Sequence, residues 1–317
     1  MILNSRNIAQ LGEIATLLEV SAYPKPGNVH RTQDFENMVY EDFLISGSVL
    51  RENLEIVAYN ASKYYPNLLD KIQIGDAILR SIKTTQNLVN TNTNLGISML
   101  LIPISAGFGA LENEESIYNL PKMVDIIMKN TRPEDAVALT KAIVLANAGG
   151  LDDKTSEYDI NNKNTVNEIS KNNVNMYDLF EISSKFDKIS YELTNGLPII
   201  SEIGYPTYCK YDGEYSRNDV TLEIYLNLLS KVPDTLINRK YGEEIAADIT
   251  KRAKVILKDT EIATEERLKQ MNKFDKYLRE NKYNPGTTAD FTAASLFVGL
   301  VDKYSKQDYI NNKKKGE

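Results

Sequence analysis

Apolar residues return at three- and four-residue steps along most of the chain, the repeat of a helix with one buried face. Over residues 5–22 the series is Ile8, Leu11, Ala15, Leu18 and Ala22, and over 41–60 it is Phe43, Gly47, Leu50, Leu54 and Val57. A fainter stripe runs over 74–90. In "TRPEDAVALTKAIVLANAGG" helix punctuation accompanies the pattern: Thr131 near the cap, Pro133 in the first turn, Glu134 and Asp135 at the positive end, and Gly149-Gly150 as the stop. Met176, Leu179, Ile182, Phe186, Ile189 and Leu193 predict one helix over 175–195. Further helices are expected over 218–231, 240–257, 260–281 and 288–304. The most apolar run, "LGISMLLIPISAGFGA" at 95–110, predicts a buried helix and is shorter than the roughly 20 residues a membrane span needs.

Two stretches depart from this pattern. "LPIISEIGYPTY", 197–208, is the best candidate for extended backbone, and the Asn- and Asp-rich residues 151–174 predict a long polar loop. No pair of alternating strands is joined by a hairpin turn, no βαβ pattern is present, and no internal repeat is visible. The expected architecture is all-α. A single multi-helix globular domain spans 1–305, with the polar excursion at 151–174, and residues 306–317 form a basic frayed tail.

Composition narrows the chemistry. Of 317 residues, 42% are hydrophobic and 26% charged, as in ordinary globular proteins. One cysteine, Cys209, excludes an internal disulfide framework and a Cys-rich zinc site, and suits a reducing compartment. One histidine, His30, argues against a His-based triad, so acid–base or metal work falls to carboxylates, with Mg²⁺ as the natural ion. A net charge of −7 argues against a nucleic-acid partner. The N-terminus lacks a charged segment followed by an apolar core, so the expectation is a cytoplasmic protein with no membrane partner. Nothing in the sequence speaks to oligomeric state.

Four stretches carry candidate chemistry. In "PKPGNVHR", Pro24 and Pro26 fix φ, Gly27 permits a turn with positive φ, and Lys25 and Arg31 are cations suited to phosphate; a solvated loop would look the same. "TNTNLG", 91–96, places Asn92 and Asn94 before the apolar helix and Gly96 inside it. Its N-terminus would suit an anion, and equally a capped core helix. In "NPGTTADFTAASLF", Gly286 belongs to a turn, Thr287 is a plausible cap, and Asp290 stands at the N3 position, where it could complete a capping box or hold Mg²⁺. The fourth group is Asp34, Glu36, Glu41 and Asp42. Glu19 is unusual at the edge of an apolar stripe, where a carboxylate needs a partner or a raised pKa. Arg239 and Lys240 flank a turn, and Asp152 and Asp153 follow a helix stop.

Together these segments resemble the triphosphoribosyl-dephospho-CoA synthase family. The likeness rests on Glu19 with Pro24 to Val29, on "NTNLG" at 92–96, on "GGL" at 149–151 and on "NPGTTAD" at 284–290. "FDKISYELTNGLPIISEIGYP" at 186–206 and "PDTLINRKYGEEIA" at 233–246 are similar to the archaeal variant. The resemblance implies an all-α transferase that uses ATP and 3′-dephospho-CoA. The acceptor's 2′-hydroxyl attacks C1′ of the ATP ribose, and adenine leaves. It also implies roles. Lys25, Gly27, Arg31, Asn92, Asn94, Gly96, Arg239, Lys240, Gly286 and Thr287 would bind phosphate or substrate. Asp34, Glu36 and Asp42 would do catalytic carboxylate work, and Asp42 and Asp290 would hold the metal. Better-known members carry a "GAH-x-DMD" type segment where this chain reads "RTQDFENMVYEDFL". Its histidine has no counterpart here, so a related small acceptor stays open beside dephospho-CoA. Two rivals share the same residues: a Mg²⁺-dependent hydrolase of a nucleotide or N-glycosidic bond, and a non-catalytic helical nucleotide-binding protein.

Overall fold

The computed structural model describes residues 3–35, 38–89, 91–111, 117–147 and 164–315, with side chains as far as residue 306. The first half of the chain supplies α1 (Ser5–Ser21), α2 (Tyr40–Tyr64), α3 (Ile74–Val89), α4 (Leu95–Ala110), α5 (Leu120–Lys129) and α6 (Pro133–Ala146). Three short helices follow, α7 (Thr165–Lys171), α8 (Met176–Ser183) and α9 (Lys188–Thr194). A π-helical turn at Ile200–Gly204 then leads into α10 (Tyr205–Tyr211). The last third holds α11 (Arg217–Lys231), α12 (Thr235–Tyr241), α13 (Glu243–Asp259), α14 (Glu265–Glu280) and α15 (Gly286–Lys315). Among the described residues the only β pairing is three isolated bridges, so the all-α expectation holds. No helix among them is long and apolar enough to cross a membrane.

α4 is the axis of the fold. Its apolar side chains face every direction and all but two of its residues are buried, because α2, α5 and α15 enclose it. The larger core gathers around this helix, and a second apolar cluster joins α11 through Tyr225 and Leu229 to α13, α14 and the start of α15. Side-chain caps set several helix starts: Asn4 accepts the Asn7 N–H at 2.9 Å, Asp187 the Ser190 N–H at 2.9 Å, and Asp234 the Ile237 N–H at 3.1 Å.

The departures from expectation have local causes. The stripe over 175–195 is two helices, because Asp187 caps a new one and Phe186 falls in the break. Residues 197–208 are not extended. The buried Glu192 carboxylate accepts the Ile199 and Ile200 N–H groups, both at 2.8 Å, and starts a helical path that passes through the π turn into α10. The polar loop over 151–174 contains α7 in its described part, and residues 148–163, with the Gly149–Leu151 motif, Asp152 and Asp153, lie outside the described residues. Where a frayed tail was expected, the backbone of α15 stays helical to Lys315. α6 begins without Thr131 as its cap. The Thr131 hydroxyl donates to the Met128 carbonyl at 2.7 Å, and Asp135 takes the Arg132 N–H at 3.0 Å.

Burial pushes the Glu192 carboxyl up to about 8, against the two N–H donors that pull it down. The folded state therefore holds a proton that the unfolded chain releases near pH 4.5, and this contribution to stability is lost as pH rises from about 4.5 through 8. Glu192→Gln should flatten the pH dependence of denaturant-induced unfolding in that window, and should cost about 1–3 kcal/mol near pH 5, because one N–H loses its acceptor.

Candidate active site

The "PKPG" turn is pinned from three sides. Gly27 has φ +74°, and a Cβ there would lie 2.7 Å from the Tyr283 carbonyl and 2.8 Å from Leu278, so only glycine fits. Its N–H donates to Asp275 Oδ1 at 2.9 Å, and the Tyr225 hydroxyl donates to the Pro26 carbonyl at 2.7 Å. Asn28 Nδ2 donates to Asn284 Oδ1 at 3.0 Å, which brings "PKPGN" against "NPGTTAD" from the far end of the chain. Lys25 is 0% exposed. Its ammonium forms an ion pair with the Glu19 carboxylate and donates to the Glu19 carbonyl at 3.2 Å. Burial raises the proton affinity of Glu19 and lowers that of Lys25, while their mutual attraction opposes both shifts.

Glu19 also lines a narrow crevice with Thr93 and Asn94 at the start of α4. Asn94 holds the N-cap position without a capping bond from its side chain, and Asn92 supplies the acceptor: its Oδ1 takes the Leu95 N–H at 3.3 Å. Asn94 is buried and donates to Thr85 Oγ1 at 2.9 Å and to the Ser46 carbonyl at 3.4 Å, while its Oδ1 has no protein partner. At the second residue of α4, a Cβ on Gly96 would sit 2.0 Å from Asp290 Oδ2. Glycine is therefore required for Asp290 of α15 to reach the positive end of α4.

Asp290 is free to do so because another residue has taken its expected capping role. Asp234, fully buried, accepts the Thr288 N–H and hydroxyl, both at 2.8 Å, as well as the Ile237 N–H. One carboxylate thus caps α12 and α15 together. The capping box expected from Thr287 and Asp290 does not form. No described residue donates a hydrogen bond to the Asp290 carboxylate. Burial holds its proton affinity well above the usual carboxylate range. The charges of Glu19, Asp234 and Asp187 add to that, and Arg239 opposes it. Arg239 is held loosely: Nη1 lies 3.5 Å from Asp187 Oδ2, and its buried Nε has no partner. Asp187 carries no local motif that marks it in the sequence. Its only signal was its place in the archaeal-type segment.

Lys25, Asn94, Gly96, Asp290 and Arg239 thus meet around the first turn of α4, with Gly27 and Asn92 in the turns that support it; Gly286, expected in a turn, and Thr287 are instead the first residues of α15. The other candidates stand apart. Arg31 is exposed and lies over the Tyr23 ring, 5.8 Å from its centroid. Lys240 is exposed. Asp34 accepts the Tyr40 N–H at 2.9 Å and Asp42 accepts the Val39 N–H at 3.2 Å, so both serve the start of α2. Glu36 lies outside the described residues. His30 is buried, and burial first of all pushes its pKa down to about 4, leaving a neutral ring at pH 7.

Residues 5–309 match the family described as ATP:dephospho-CoA triphosphoribosyl transferase (CitG). The chain belongs to this family. Membership makes it a transferase that uses ATP and decides against the hydrolase and the passive binding protein. The fold agrees. A solved structure from Archaeoglobus fulgidus, provisionally described as a triphosphoribosyl-dephospho-CoA synthase, superposes with a TM-score of 0.64 at 25% identity, over 83% of this chain and 98% of that one. No curated protein matches the chain significantly.

Two substitutions test this geometry. Lys25→Met leaves Glu19 buried without its partner and should destabilise the protein by about 3–5 kcal/mol in denaturant melts; Glu19→Leu combined with Lys25→Met should recover most of that loss. Gly96→Ala favours the helix by up to about 1 kcal/mol yet displaces Asp290, so stability should change little while turnover falls about 100-fold.

Proposed function

We propose that the chain transfers the triphosphoribosyl group of ATP to the 2′-hydroxyl of 3′-dephospho-CoA around the first turn of α4, with Asp290 as the central carboxylate. The observation that carries this reading is a carboxylate with no hydrogen-bond donor, held against the positive end of a helix and flanked by Lys25 and Arg239. Arg239, with an unused buried N–H, and the N–H groups of α4 would receive the triphosphate. Lys25 contributes a fixed positive charge behind it. In the reaction the bond between the ribose C1′ and adenine breaks, and adenine leaves with the electron pair. A bond forms from the acceptor oxygen to C1′, and the hydroxyl proton passes to a base. Positive charge develops on the ribose, and the carboxylates at the site stabilise it. Asp34 and Asp42, at the start of α2, would act from the rim, Glu36 belongs to the same acidic segment, and Arg31 and Lys240 would meet substrate from the surface.

Mg²⁺ suits a site with few protein ligands. Among the described residues no three His, Cys, Asp or Glu side chains gather as a metal cage. The ion normally keeps several waters and binds through one or two carboxylates plus phosphate oxygens. Asp290 has the free oxygens for this, whereas one Asp42 oxygen is already engaged with the Val39 N–H. When bound, the ion would neutralise triphosphate charge. A cytoplasmic location fits these substrates.

Mass spectrometry after incubation with ATP, Mg²⁺ and 3′-dephospho-CoA should show free adenine and the triphosphoribosyl adduct, and no adenine without the acceptor. Asp290→Asn should lower kcat by at least about 100-fold. Arg239→Gln should raise the KM for ATP by about 10- to 100-fold, the loss of a charge-assisted contact. Adenine release that ignores the acceptor would overturn the reading.

A further inference from the structure

Arg239 reaches the site from the last turn of α12, and Asp187 comes from the start of α9 to meet it. The two helix starts are stitched together. The Lys188 N–H donates to Thr235 Oγ1 at 3.2 Å, and Thr235 is buried. Asp234, the cap of α12, fixes that helix further. The distance between Asp187 and the stem of Arg239 is therefore set by the backbone.

The two oxygens of Asp187 have different tasks. Oδ1 accepts the Ser190 N–H at 2.9 Å and the Ser190 hydroxyl at 3.1 Å, which caps α9 and pins the carboxylate. Oδ2 faces Arg239 Nη1 at 3.5 Å. A guanidinium is a planar fork, so holding it at Nη1 fixes the direction of its other edge. That edge is open: Nε is buried and has no partner. The pair lies beside the central carboxylate, since the charge of Asp187 raises the proton affinity of Asp290 and that of Arg239 lowers it. A purely structural ion pair would bring the atoms closer and would use the buried N–H. At 3.5 Å the arginine gives up little when a second anion arrives.

We propose that Asp187 is a positioning residue for ATP: it orients Arg239 so that the Nε edge of the guanidinium faces the triphosphate at the first turn of α4. The inference rests on the placement of the triphosphate proposed above. Asp187 itself touches no substrate, and its charge is answered by the guanidinium it holds.

The test is a double-mutant cycle on ATP affinity, measured by calorimetry with Mg²⁺ and without the acceptor. Asp187→Asn keeps the Oδ1 acceptor and the cap of α9, so the melting temperature should hold. It removes the charge, and the Kd for ATP should rise about 5- to 10-fold. In the Arg239→Gln background the same substitution should change the Kd by less than about twofold, because the residue it acts through is gone. An unchanged or lower Kd for Asp187→Asn overturns the proposal: Asp187 would then be a bystander, or a competitor for Arg239. So does an equal rise in both backgrounds, which would mark a structural effect or a direct contact. Failure of the site reading looks different. Arg239→Gln alone would then leave the Kd for ATP unchanged, and the inference would fall with it.

Discussion

The buried pair of Glu19 and Lys25 is the constraint on which the rest of the site depends. Taking two ions out of water costs several kcal/mol each, and their attraction repays this only in good geometry. The geometry here is set by the two prolines around Lys25, the left-handed Gly27 and the Tyr225 hydroxyl on the Pro26 carbonyl. The turn cannot relax without exposing or orphaning a charge. It therefore ties α1 to α11, α14 and the loop before α15, elements from both ends of the chain. A hydrophobic pair of similar volume would stabilise as well, but would not place a positive charge behind Asp290.

Asp234 plays the complementary part. Each helix N-terminus presents backbone N–H groups that need acceptors, and one carboxylate serves two helices. That economy leaves Asp290 without a structural partner, and Gly96 lets it approach the end of α4. The result is a carboxylate surrounded by like charges and one loosely held arginine, an arrangement that favours a ligand able to bring cations and accept N–H bonds. α4 itself is rigid because it is enclosed on all sides, so its first turn is a fixed reference for the groups that meet there.

α11 organises the two ends of this arrangement. One face is packed into the main core, one supports the "PKPG" turn, and a third opens onto a cleft walled by Tyr211, Tyr215 and Arg267. The ion pair of Glu223 and Arg267 fixes the start of α14 on that third face.

Period and punctuation were enough to read the longer helices and the all-α class, because a helix with one buried face repeats its apolar residues whatever its neighbours do. Motif order likewise drew attention to Lys25, Asn94, Gly96, Arg239 and Asp290, which the fold brings around the first turn of α4. What the chain alone could not show is which polar group answers which. Asp290 and Thr287 look like a capping box until Asp234, more than fifty residues away, takes the Thr288 N–H. Residues 197–208 look extended until Glu192 supplies acceptors for two buried N–H groups. Asp34 and Asp42 read as free carboxylates until an N–H at the start of α2 donates to each. The sequence by itself determined the longer helices, whose apolar repeat follows from local spacing, and the family, whose motifs it carries in order. Only the tertiary structure decided which carboxylate is left unpartnered, because hydrogen-bond satisfaction is settled by groups distant in the chain and close in space.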